Sequence, residues 1–388
     1  MGKKAVIWKI LHETGGCNKL LNNQIDDGDT SIDCEPWEYD FKYEYVNEAA
    51  GEAGDLSNEK DAIKRFLRWN CDPIFKKGVD LDGCGKDSVC NLARDIYLKL
   101  WGWAADKETY GRAGIDFPLE FGPDTMNSFA TSLKKYMEEN TEFCNQDYWK
   151  EYKKKYPYNR VSELLIYTWW LEQEHKDKRL KELGVGVLKE AECLLNQYAH
   201  FTHTMGNFVL VPAYFNPYRY FKTHDAWDQS LDLLKNKQED WIYKNRKVSH
   251  KIKWVKSDFP KYINFFFLWD YVIAESDKGS NCEVKTLWSD NDLLLGIEYC
   301  IWAIKRRGAF MTMMLKIYRL LDAKGVDELR NKVFVVSTIY KGYDEVLKEI
   351  ERYVKEHFNE KISANVQEEI EALQKIFANI ENEKAEVS

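Results

Sequence analysis

The sequence predicts a mainly α fold: a large, irregular multi-helix globular chain with one or two short strands. Three observations predict it. Apolar residues recur at three- and four-residue spacing through most of the 388 positions. Strand-like runs are confined to NFVLVP (207–212) and VFVVSTIY (333–340). No segment recurs at a period of about 20–50 residues, so the helices are not copies of one unit. Hydrophobic residues make up 44% and aromatics 14%, with 14 Trp, so the core is built from large flat side chains. Charged residues, at 31%, are enough to solvate the exterior.

Residues 1–57 form an acidic, loop-rich N-terminal segment. A helix is expected to begin at Ser57 or Asn58, both good N-caps, with Glu59 and Asp61 in its first turn and Ile63, Phe66 and Leu67 on one face. KDSVCNLARDIYLKLWGWAA (86–105) reads as the next helix, and Gly, Pro and Asp then mark a loop through 111–124. DTMNSFATSLKKYMEE (124–139) reads as helical, with Asp124 as N-cap. Further helices are expected over 160–180, 186–201 and 225–245. FPKYINFFFLWDYVIAE (259–275) is apolar almost all round, which predicts a central buried helix. Residues 290–323 predict a long helix with a bend near Gly308. Residues 327–388 predict two or three more, ending in a polar tail. The expected organisation is 1–57, a main helical domain over 58–323, and C-terminal helices over 324–388 that pack on it.

Several classes are disfavoured. The net charge of −8 and pI near 5.6 rule out a generally basic nucleic-acid coat. The nine cysteines are odd in number, scattered and without a CxxC pair, which suits reduced thiols. The N-terminal run AVIWKIL is broken by Lys9 and makes a poor secretion signal. The run INFFFLWDYVI (263–273) is short of the ~20 residues of a membrane span and contains Asp270. A cytoplasmic protein without a membrane partner is the expectation. GCGKDS (83–88) lacks the earlier glycine of a phosphate loop, which would fall at Asp80, and its Lys86 precedes Asp. Asp80 and Asp82 lack the other ligands of a calcium loop.

The strongest site candidate is HFTHTMGNFVLVPAYFNPYR (200–219). His200 and His203 share a face if the helix persists that far. His224 and Asp228 follow closely. With them they are the candidate ligands for a divalent metal, the cofactor these residue types suit. Asn216, Arg219 and Asp228 are candidate ligand-binding residues, Arg219 as a two-pronged donor to phosphate or carboxylate. A structural role competes with these: His203 and Asn207 would satisfy buried backbone groups where the chain leaves a helix. The run KNRKVSHKIKWVK (244–256) is a candidate nucleic-acid patch through Lys244, Arg246, Lys247, Lys251, Lys253, Trp254 and Lys256. The competing reading is a solvated connection between two helices.

Two resemblances bear on these residues. HTMGN (203–207), VP (211–212), Asn216, Arg219, DAWDQSL (225–231) and YINFFFLWDYV (262–272) resemble the shared outline of a family of uncharacterised bacterial proteins. DTMNSF (124–129) and LWGW (100–103) extend the likeness. This implies a shared fold and a shared polar corner, and no reaction. GNFVLVPAYFN (206–216) is similar to the second half of the HNH nuclease motif. There His200 or His203 would act as base and Asn207 would be part of the catalytic set, with a metal stabilising phosphate charge. Glu174–His175 is the only upstream pair of the expected type, and no proline follows it.

Three functions follow as expectations. The first is a helical protein with a small-anion or ligand pocket around 200–228. The second is a metal-dependent nuclease or phosphodiesterase, of the sort used in phage defence or toxicity. The third is an adaptor that uses exposed aromatics or the C-terminal helix.

Overall fold

The computed structural model describes residues 35–38, 96–97, 99–101, 121–127, 129, 192–212, 215, 227–236, 259–274, 282–286, 293–335 and 342–387. The architecture is mainly helical, a large irregular multi-helix arrangement with a few short strands. Strand β1 (Phe121–Thr125) precedes helix α1 (Glu192–Phe201) and strand β2 (Phe208–Pro212). Helices α2 (Trp227–Asn236) and α3 (Phe259–Phe265) come next, then strands β3 (Val272–Ala274) and β4 (Cys282–Val284). The C-terminal part comprises α4 (Leu293–Leu320), α5 (Ala323–Arg330), α6 (Tyr343–His357) and α7 (Glu360–Val387).

Helix α4 is the axis of the molecule. Its 28 residues span roughly 42 Å at ~1.5 Å each. Buried residues occur around much of its circumference, from Leu293 through Cys300, Ile304, Phe310 and Met314 to Ile317. It is thus a core helix with neighbours on several sides. It runs unbroken through Gly308. Helix α7 lies antiparallel along it: Lys305 pairs with Glu383 at 2.5 Å, and Lys316 with Glu369 at 3.3 Å. Val366, Ile370, Leu373 and Ile380 of α7 form the buried stripe of that contact. Capping follows ordinary chemistry. Asp322 Oδ1 accepts from Gly325 N at 2.7 Å ahead of α5, and Asn359 Oδ1 accepts from Ile362 N at 3.0 Å at the start of α7.

Among the described residues, two antiparallel pairs of strands join the helices. β2 pairs with β1, Leu210 opposite Pro123 and Phe208 opposite Thr125, and every residue of β2 is buried. β3 pairs with β4, Ile273 opposite Glu283. The strand expected at 207–212 is present. Asp124, expected to cap a helix, lies instead in β1 opposite Val209. Its partner is 85 positions away, so local cap chemistry could not reveal it. The start of the other strand candidate is helical, because Asn331–Val335 continues α5 as a π turn. The remainder, 336–340, lies outside the described residues.

The central helix expected over 259–275 is broken. α3 stops at Phe265, and Phe267 adopts a left-handed φ of 59°. Leu268 N donates to Ile263 O at 2.9 Å and Phe267 N to Asn264 O at 3.4 Å. This paired closure ends a helix, most often with glycine at the left-handed position. Phenylalanine holds it here because its ring is locked among Trp101, Trp269, Phe310 and Phe334, with centroids 5.0–5.8 Å away. A turn at Trp269–Tyr271 then leads into β3. Among the described residues, no helix is long and apolar enough to cross a membrane.

Candidate functional site

Helix α1 ends at Phe201, two residues short of His203, which a shared histidine face would need. Thr202 Oγ1 donates to Tyr198 O at 2.8 Å and Thr204 Oγ1 to Phe201 O at 2.9 Å. The Thr204 hydroxyl takes Phe201 O, the carbonyl that a further turn would give to Met205 N, while Tyr198 O keeps its helical bond from Thr202 N at 3.0 Å. His200 therefore stays on the helix, half-buried, its ring edge-on to Phe201 at 5.1 Å. His203 falls in the turn beyond and is buried. Residues Met205–Asn207 form a single tight turn into β2.

Asn207 is the centre of this corner. Its Nδ2 donates to Thr202 O at 2.7 Å and to Asn127 O at 2.8 Å. Its Oδ1 accepts from Asn127 N at 3.0 Å and from Asn127 Nδ2 at 3.4 Å. Two donors and two acceptor positions are all that a carboxamide possesses, so Asn207 is saturated by the chain. Asn127 in turn donates to Tyr271 Oη at 3.3 Å and faces Cys300 Sγ at 3.7 Å. Asp228, buried in the first turn of α2, accepts from Gln229 N at 2.7 Å. It lies near enough to Cys300 to act on it: burial first, and then the Asp228 charge, push that thiol well up. Asn216, Arg219, His224 and the whole 244–256 patch lie outside the described residues. Among the described residues, no group of three or more His, Cys, Asp or Glu side chains is placed to hold a metal ion.

A residue that sequence reasoning missed binds this corner to α4. Arg307 is fully buried. Its Nη1 donates to Gly206 O at 2.7 Å and Phe208 O at 2.6 Å, and its Nε donates to Phe266 O at 2.9 Å. Its guanidinium lies 5.4 Å from the Trp101 ring centroid. Burial pushes it down to about 10, the nearby phenols of Tyr271 and Tyr343 opposing that shift. Close backbone packing makes the arrangement possible. A Cβ on Gly206 would stand 2.0 Å from Ile304 O, and one on Gly308 would stand 2.8 Å from Trp37 Cβ. Only glycine permits that approach. The available signal was a glycine following an arginine pair in an otherwise apolar helix.

A second charged cluster joins α4 to α7 and to the turn before β3. Arg306 Nε lies 3.2 Å from Asp270 Oδ2, and its Nη1 bonds Glu381 Oε1 at 2.5 Å. The guanidinium also lies 4.6 Å from the Trp302 and Phe377 ring centroids. Burial raises the Asp270 carboxyl to about 6, against the downward pull of Arg306 and Lys285.

Two hollows open nearby. One, of about 430 Å³, lies between α1, α4 and α7 and is lined by Leu194, Ile301, Trp302, Ile380 and their polar neighbours. Glu298 Oε1 and Trp302 Nε1, on two of its lining residues, are buried without a hydrogen-bond partner. The other, of about 520 Å³, is lined by Lys99, Tyr318, Arg319, Asp327 and Arg330 among others. Arg330 is already engaged there, bonding Lys99 O and Asp327 Oδ1. Comparison of the chain with family models, curated proteins and solved structures finds no match.

Proposed function

We propose that this protein acts by binding a small ligand rather than by cutting phosphodiesters. The 200–212 corner is its structural joint, and the groove between α1, α4 and α7 is its binding site. The observation that carries this reading is the saturation of Asn207. A nuclease role requires that carboxamide to position a catalytic histidine, a metal ligand or a substrate. All four of its hydrogen-bonding positions serve Thr202 and Asn127 instead. The groove has the opposite character. It is concave and mostly apolar, with a few charged side chains at its wall, the pattern of small-molecule sites. The adaptor alternative is supported less well, because the apolar stripe of α7 is buried on α4.

The test combines nuclease assays with Mg²⁺, Mn²⁺ or Zn²⁺ and thermal melts of the wild type, His203→Ala and Asn207→Ala. The expected result is no metal-dependent cleavage by any form and a much lower melting temperature for Asn207→Ala. That substitution strands buried backbone groups of Thr202 and Asn127, at about 1–3 kcal/mol each. Cleavage by the wild type that is lost in an Asn207→Ala protein of unchanged melting temperature overturns the reading.

A further inference from the structure

A cation is already seated where the groove meets α7. Lys384 Nζ lies 4.5 Å from the Trp302 ring centroid and 5.0 Å from that of Tyr299. The two rings are 4.9 Å apart, tilted by 46°, and both half-buried on α4. The negative faces of such rings attract an ammonium, and grouped aromatics are how proteins hold organic cations. Lys384 and Trp302 both line the groove, so the place of that ammonium adjoins the apolar wall of Leu194, Ile301 and Ile380. The neighbouring cations have carboxylates of their own. Glu383 takes Lys305 at 2.5 Å, and Asp270 and Glu381 take Arg306. Lys384 is held more loosely, beyond the last apolar anchor. Ile380 is the last described residue of α7 that is buried, and Glu381, Asn382 and Glu383 are exposed. Helix ends of this kind fray and open at little cost.

We propose that the Tyr299–Trp302 pair is a binding site for an organic ammonium with an apolar tail, and that Lys384 is its built-in competitor. The site presupposes the groove as the place of binding, since the ligand's tail lies there while its head replaces the lysine ammonium. The exchange conserves charge at the rings. An anionic head would meet their negative faces, and a neutral head gains nothing from them. A cation–π contact at a partly exposed site is weak, so Lys384 lowers the apparent affinity by only about three- to sixfold. Burial of the tail against the apolar wall is the advantage that the ligand holds over the lysine. The volume of about 430 Å³ admits a molecule of that size.

The experiment titrates the full chain with hexyltrimethylammonium, hexanol and hexanoate by isothermal calorimetry and ligand-observed NMR. It repeats the series with Lys384→Ala and with Lys361→Ala, which removes the same charge about 35 Å away along α7. Trp302→Leu and Tyr299→Leu are each combined with Lys384→Ala, and melting temperatures show which variants fold. The expected result is saturable ammonium binding, with hexanol and hexanoate weaker by about fivefold or more. Lys384→Ala binds the ammonium about three- to sixfold more tightly and leaves hexanol unchanged. Lys361→Ala changes neither, and loss of either ring removes most of the gain. Three results overturn the proposal: hexanol or hexanoate binding as tightly as the ammonium, a Lys384→Ala protein no tighter than wild type or than Lys361→Ala, and a gain that neither ring variant reduces. The charge series and the two lysine variants decide the matter even where a ring variant does not fold. An apolar fluorescent dye, anilinonaphthalene sulfonate, separates the two levels of inference. If the dye binds and Leu194→Glu abolishes its signal while the ammonium fails, the groove stands and the cation site falls. If dye and ammonium both fail, the groove itself falls.

Discussion

Replacing Arg307 with methionine keeps much of its length and removes its charge and all its donors. Three carbonyls, Gly206 O, Phe208 O and Phe266 O, then lose a hydrogen bond inside the core. At about 1–3 kcal/mol for each unmet group, the gross loss is about 3–9 kcal/mol. The substitution also spares the protein the burial of a guanidinium, which costs several kcal/mol, so the two effects oppose each other. Removal of one side of a buried charged contact usually nets about 3–5 kcal/mol of destabilisation, and about 4 kcal/mol is expected here. Unfolding entropy of ~2.1 cal/mol/K per residue gives roughly 0.8 kcal/mol/K for 388 residues, so the melting temperature falls about 5 °C. Arg307→Lys falls by a similar amount, because a single ammonium cannot reproduce a fork that reaches three carbonyls. Differential scanning calorimetry of the three proteins at pH 7 is the assay. An Arg307→Met protein that melts at the wild-type temperature refutes the account of Arg307 as the tie between α4 and the corner.

The raised carboxyl of Asp270 predicts a pH effect. From an unfolded value of 3.8 to about 6 when folded, the shift favours the folded state by about 3 kcal/mol below pH 4. That stabilisation disappears as the pH rises through about 6. The wild type therefore loses up to about 3 kcal/mol relative to Asp270→Asn, which does not titrate, between pH 4 and pH 7, and parallel melting profiles would contradict this. Gly206→Ala drives a Cβ to 2.0 Å from Ile304 O, whereas at Gly342 nothing lies within 4 Å. Chemical denaturation should show a loss of about 3 kcal/mol or more for the first and under about 1 kcal/mol for Gly342→Ala. Phe267→Gly relieves a left-handed backbone worth about 1 kcal/mol but deletes a ring packed among four others, at about 3–5 kcal/mol. A net loss of stability is expected, and a more stable glycine variant would show that backbone strain outweighs the packing.

These cases also show what the sequence could and could not disclose. The helices over 192–201, 227–236 and 293–320 follow from apolar spacing, and β2 from a β-branched run ended by proline. Local rules fail where a distant partner decides. Asp124 reads as a cap until β2 claims it for a strand. The apolar run at 259–275 reads as one helix because its interruption rests on a phenylalanine, without the glycine that usually marks such a stop. Asn207 was legible as a polar residue at a corner. Its saturation was not, because it depends on Asn127, 80 positions earlier. Arg307 lies in a pair of adjacent arginines that carries no local sign of burial. Its burial and its bonds to Gly206 O, Phe208 O and Phe266 O depend on the approach of Gly206 to Gly308, 102 positions on. The groove has no local signature, since its walls come from three helices.

The span of these ties bears on how the chain is made. Arg307 reaches back 101 positions to Gly206, and Cys300 reaches back 173 to Asn127. At about 5–20 residues per second of synthesis, roughly 5–20 s separate the appearance of Gly206 from that of Arg307. Throughout that interval β2 waits on the ribosome without the helix that covers it. Its fully apolar strand makes the half-finished chain the form most in need of a chaperone.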